Sequence, residues 1–157
     1  MIKVTEPMSQ EKNISVVWRI KSLDLVSFKA EDVNPAKTIN ADKIQFQLGL
    51  ELHVDSSEKK VTVQCPVEIY SDDTLKELLG SIHTKGEYII ENFGDIVNKS
   101  NNQLPFGVVL SLTGVTYSST RGMLCLLSKG TVFEKAIIPI IDPSVFFPKP
   151  VEAALKK

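Results

Sequence analysis

The chain has 157 residues, enough for one domain that removes most of its unfolded surface from water. Eighteen Lys and Arg against nineteen Asp and Glu leave a formal net charge of −1, without the cation excess that nucleic-acid phosphates require as a main partner. Two cysteines are too few for a secreted disulfide scaffold and point to a reducing cytoplasm, and no stretch nears the ~20 apolar residues of a membrane span.

Residues 1–13 are polar, hold no run of signal-peptide length, and read as a flexible N-terminal arm. Residues 14–147 read as one domain and 148–157 as a C-terminal tail. Ile14, Val16, Trp18 and Ile20 alternate, then the phase slips to Leu23 and Leu25 and slips again at Phe28. A strand keeps its faces only with period two, so each slip predicts a bulge or bend in a long first strand. Glu31 to Asp42, with Asn34-Pro35, reads as a connecting loop.

Ile44, Phe46, Leu48, Leu50, Leu52 and Val54 place one face of a second strand, with Gln45, Gln47, Glu51 and His53 on the other. Asp55 to Glu58 is a turn of hairpin length, and Val61, Val63, Cys65, Val67 and Ile69 point inward on a third strand. Pro66 cannot donate a ladder hydrogen bond and marks an edge, a bulge or a non-bonded position there. A fourth strand over Leu78 to Ile90 puts Gly80 and Gly86 on its apolar face, where it bends or lets something approach closely. Short turns between sequential strands favour an antiparallel meander.

Asp95 to Gln103 leads out of the sheet, and Pro105 then opens a long helix in which Val108, Val109, Leu112 and Val115 recur at helical spacing. Gly107, Gly114 and Gly122 each weaken that helix by roughly 1 kcal/mol relative to Ala, which predicts close helix packing or a break near Gly114. Lys129-Gly130 is the stop signal. Ala136 to Ile141 reads as an extended apolar run, and Asp142-Pro143 caps a brief second helix through Phe147.

Chemistry-bearing patterns are sparse. His53 and His83 fall on polar-phase positions and have no sequence-local metal-ligand partner. Asp72-Asp73 sits in a turn, and Cys65 and Cys125 read as buried structural thiols. No nucleophile elbow, dinucleotide or phosphate-loop pattern occurs, so no catalytic role, metal or cofactor is expected. Apolar surface is in excess instead. One long helix and a short tail do not cover both faces of a four-stranded sheet, and Ile137 to Ile141 with Phe146-Phe147 call for another subunit or a ligand.

The order of these features resembles the SecB family of bacterial protein-export chaperones. The resemblance rests on Trp18 to Asp24 with Ser27 to Ala30, on Thr120-Arg121-Gly122, on Ser128 to Thr131, and on Pro139 followed by Phe146-Phe147, over about residues 14–147. It implies an α+β fold, a four-stranded antiparallel sheet with one long helix and a short C-terminal helix on one face. It also implies a homotetramer, a dimer of dimers with the long helices between protomer pairs, that holds non-native polypeptides without ATP. Leu48, Leu50, Leu52, Tyr117 and Phe146 match the family's client groove. Of the acidic positions with which the family docks on the motor SecA, one falls on Asp24 and another is Lys29 here. The near-neutral charge and the Lys156-Lys157 ending depart from the family as well. An adaptor of the same fold, dedicated to one partner such as a toxin–antitoxin pair, is the alternative.

Overall fold

The computed structural model describes residues 15–33, 38–97 and 104–147. The expected arm 1–13 and tail 148–157 lie outside the described residues, as do Asn34-Pro35 and most of the stretch leading out of the sheet. Five strands form one antiparallel sheet: β1 (Trp18–Ala30), β2 (Gln45–Leu48), β3 (Glu51–Asp55), β4 (Lys60–Tyr70) and β5 (Leu78–Ile90). A short helix α1 (Phe93–Ile96), not foreseen in the sequence, precedes the long helix α2 (Phe106–Leu127), and single 3-10 turns stand at Ala41–Lys43 and Pro143–Phe146.

The sheet order is β1-β5-β4-β2, with β3 also on β4. The expected meander therefore holds from β2 to β5, while β1 lies beside β5 and the chain after Ala30 crosses to the opposite edge. Local turn lengths do not reveal such a crossing, because the long connection from residue 31 to residue 44 imposes no partner on β1.

Both phase slips in β1 are bulges. Its register against β5 shifts between Ile20 and Ser22 and again between Leu25 and Ser27. Trp18, Ile20, Leu23, Leu25 and Phe28 thereby stand opposite Ile90, Tyr88, Gly86, Thr84 and Ile82, all on the face that α2 covers. Trp18 meets Tyr88 edge to face with ring centroids 5.7 Å apart.

The inward residues of β4, Val61 to Ile69 at every second position, are essentially inaccessible. The two β5 glycines are points of close approach. A Cβ on Gly80 would stand 2.8 Å from the Phe133 ring, and one on Gly86 would stand 2.6 Å from Thr116 Oγ1. Helix α2 settles into this space through two buried hydroxyl pairs, Thr84–Thr120 and Tyr88–Thr116, each at 2.6 Å. Satisfied in this way, the hydroxyls are held in an otherwise apolar interface.

The expected second strand is divided into β2 and β3. Leu48 stands opposite Val67 and Glu51 opposite Gln64, three positions on along each strand, so no residue is inserted or lost. Between them Gly49 N–H donates to the Pro66 carbonyl at 3.0 Å. The N–H of a strand residue points the same way as its carbonyl, and proline has none to return.

Helix α2 runs through Gly114 without a break and ends at Leu127; Ser128 is the cap, and Gly130 follows with a left-handed φ of 80°. Cys65 is buried, but Cys125 is exposed on the open side of α2, which corrects the expectation for that thiol. Its position shares a helical side with Gly107, Gly114 and Ser118 and not with Leu112 or Leu124. The opposite face of the sheet is polar and needs no cover: Lys21, Asp24, Lys85 and Glu87 interleave there. The two most exposed large apolar side chains stand after the helix, Ile137 at 73% and Ile140 at 83%, while Ile20, Leu25 and Val26 on β1 are exposed to a lesser extent.

Candidate functional site

A groove of about 470 Å³, lined mostly by apolar side chains together with Asp42 and Gln45, lies between the β2 strand and the chain that follows α2. Ile44, Phe46 and Leu48 form one wall; Pro139, Ile141 and Phe146 form the other. Period-two alternation puts Phe46 and Leu48 on the same face as their partners Ile69 and Val67, so the β2 wall is continuous with the core.

Among the described residues the second wall has no strand partner, and it is held by α2 side chains. The Tyr117 hydroxyl donates to the Pro139 carbonyl at 2.6 Å, and Arg121 Nε donates to the Ile138 carbonyl at 2.9 Å. Ile138 is buried beneath, which leaves its neighbours Ile137 and Ile140 facing outward. Asp142 then caps the 3-10 turn, its Oδ1 accepting the Ser144 N–H at 2.9 Å with Pro143 in the first turn, and Phe146 comes back to the groove.

Among the residues expected from sequence, Leu48 and Phe146 line this groove. Leu50 and Leu52 continue the β2 wall beyond it, half-buried against the core on the α2 side. Tyr117 is 3% exposed and stands behind the far wall. Burial pushes its phenol pKa up, with the Arg121 cation opposing. Sequence reasoning did not name Phe46, Ile44, Pro139 or Ile141 as groove residues. Phe46 and Ile44 were within reach, being the same periodic row as Leu48, whereas the far wall follows only from tertiary contacts.

Asp24 lies on the opposite, polar face. It accepts the Ser22 hydroxyl at 2.8 Å and stands 3.9 Å from Lys85, which is also 3.3 Å from Glu87. Lys21 first and Lys85 second hold the Glu87 carboxyl below its usual range. The surroundings of Asp24 are therefore charge-balanced. His53 and His83 share this face but stand opposite Thr62 and Pro66, four positions apart along β4. Among the described residues no three His, Cys, Asp or Glu side chains gather for a metal, and no helix is long and apolar enough to cross a membrane. The Asp72 Oδ1 accepts the Thr74 N–H and hydroxyl, the turn role expected of it.

No family model matches the sequence, and no curated protein does either. Among solved structures, a SecB-like chaperone from Mycobacterium tuberculosis, in complex with a ChAD peptide from the HigA1 antitoxin, superposes with a TM-score of 0.56. The match is 11% identical and covers 79% of this chain and 89% of that one. A protein of unknown function from Streptococcus agalactiae aligns with a TM-score of 0.45 at 10% identity, over 82% of this chain and 99% of that one. The antiparallel sheet, the long helix across one face and the short turn that follows are a SecB-like fold.

Proposed function

We propose that this protein is an ATP-independent holding chaperone whose client is an apolar segment of a non-native polypeptide. The observation that carries this reading is the groove between Phe46-Leu48 and Pro139-Phe146, continuous with the exposed Ile137 and Ile140. Most of its lining side chains are apolar, with Asp42 and Gln45 beside them, so it offers burial with little directional constraint and accepts many sequences. The peptide held by the SecB-like structure from M. tuberculosis supports a polypeptide ligand for this fold.

Purified protein should suppress aggregation of an unfolded model protein in the absence of nucleotide, and Leu48→Asp should weaken that at least about tenfold. Loss of one buried leucine contact, on the order of 1.5–3 kcal/mol, accounts for the size. Equal suppression by wild type and variant would remove the groove from the proposal.

A homotetramer fits the same reading. Gly107 and Gly122 have nothing near the position of a Cβ, and Gly114 meets only Pro143 at 3.9 Å. Packing within one protomer therefore does not require these helix-weakening residues, whereas a second helix lying on that side does.

The second reading is an adaptor with one dedicated partner, favoured by the antitoxin origin of the peptide on the M. tuberculosis structure. A single stoichiometric native partner, with no affinity for unfolded clients, would establish it. A role in export through SecA rests on Asp24 alone, and Asp24→Lys should abolish SecA binding if that role exists.

A further inference from the structure

We propose that the client is taken up as an added strand: an extended segment pairs antiparallel with the outer edge of β2 and β3 through its backbone. This rests on the peptide-binding reading above and adds to it a mode and a sequence rule.

The direction of the backbone groups follows from Gly49. Its N–H points inward to Pro66, and polar groups alternate sides along a strand. The N–H and carbonyl groups of Phe46, Leu48, Leu50 and Leu52 therefore point off the sheet. Among the described residues nothing pairs with that edge, since β2 and β3 each pair only with β4. The same four residues turn half-buried apolar side chains toward the α2 side. Free backbone groups and an apolar shelf thus coincide, residue by residue, along one edge. An edge of this kind selects an extended polypeptide over other apolar ligands, because only a second strand satisfies both.

The two edges of the sheet differ in the way this requires. On β1, two bulges interrupt the register, and Arg19, Lys21 and Lys29 are exposed. Bulges and cations are devices that keep an edge from pairing. On β2 and β3 the register has no shift, and the groove opens beside it.

The sequence rule follows from pairing geometry. A client residue that exchanges both hydrogen bonds with Phe46 or Leu48 has its side chain on their face, so apolar residues are favoured at i and i+2. Intervening residues face the polar side and are unconstrained.

The test uses a fluorescein-labelled decapeptide of alternating Leu and Ser with Lys at each end, and two forms N-methylated at every Leu or at every Ser. The parent should bind, and Leu48→Asp should abolish its binding. Methylation at Leu should lower affinity about tenfold or more, while methylation at Ser should leave it within about threefold, since those N–H groups point to solvent. Amide exchange at Phe46 and Leu48 should slow at least about tenfold in the parent complex. If both methylated peptides bind like the parent, or if those two amides exchange as before, strand addition is overturned and the groove remains a peptide site. Loss on Ser methylation alone overturns the antiparallel pairing. A parent peptide that does not bind, or binds Leu48→Asp equally well, overturns the peptide-binding reading itself.

Discussion

Gly49 donates a hydrogen bond to the Pro66 carbonyl and receives none from it, and this one-sided pair divides an otherwise continuous strand into β2 and β3. A Cβ at Gly49 would meet Pro66 Cγ at 3.4 Å, so the two small features fit together at the division. Pro66→Val restores the missing donor. Amide exchange at Gly49 and Glu51, whose N–H groups face β4, should slow by about tenfold, because the ladder closes across the gap. Global stability should move by less than ~1 kcal/mol, since the regained hydrogen bond is offset by greater freedom of the unfolded chain.

Thr84 and Thr120 share a buried hydrogen bond between β5 and α2. Thr120→Val should destabilise by about 1–3 kcal/mol in urea unfolding, as it strands the Thr84 hydroxyl. The Thr84→Val, Thr120→Val double variant should cost less than the sum of the two singles. Strict additivity would mean that the hydroxyls do not act as a pair.

Gly86→Ala places a methyl 2.6 Å from Thr116 Oγ1 and 2.7 Å from the Tyr88 hydroxyl. Destabilisation by about 1–3 kcal/mol is expected, read as a lowered denaturant midpoint with little change in slope. Gly122→Ala meets nothing in the protomer and should strengthen the helix by ~1 kcal/mol where the chain is monomeric.

The two thiols should differ in reactivity. Burial pushes the Cys65 thiol pKa up, with a Thr120 hydrogen bond as the lesser, opposing influence, so native protein should leave Cys65 unmodified by a thiol reagent at pH 8. Cys125 is exposed in the protomer. If α2 faces a second copy, its modification rate should rise on dilution through the dissociation range. A rate independent of concentration would place no subunit on that side of the helix.

Glu87 carries a pH dependence whose sign is fixed by its two lysines. Its carboxyl is held below the ordinary 4.5, chiefly by Lys21 and then Lys85. A depressed carboxyl stabilises the fold above the unfolded value and loses that contribution as pH falls through the folded one. Glu87→Gln should therefore flatten the stability profile below about pH 4.5 relative to wild type, and high salt should shrink the difference between them.

Much of the fold was legible because it is written in local periodicity. The parity changes after Ile20 and Leu25 located both β1 bulges, and Gly80 and Gly86 announced the approach of Phe133 and Thr116. The placement of β1 beside β5 was not legible, since no residue of β1 names its partner strand. Cys125 was misjudged because it stands among the apolar Leu124, Leu126 and Leu127, where helical phase and not neighbourhood decides burial. The near wall of the groove could be read from the row that contains Leu48. The far wall depends on two carbonyls captured by α2, a contact between segments with no periodicity in common.

That capture has a mechanical consequence. Tyr117 and Arg121 grip the wall at Pro139 and Ile138, and among the described residues no strand pairing holds it from the other side. The width of the groove is thus set by where α2 lies, while the other flank of the same helix carries Gly107, Ser118 and Gly122. A neighbour that displaces α2 along that flank moves the Pro139 wall with it, and the helix serves as a lever between whatever touches its small residues and the gap beside Leu48.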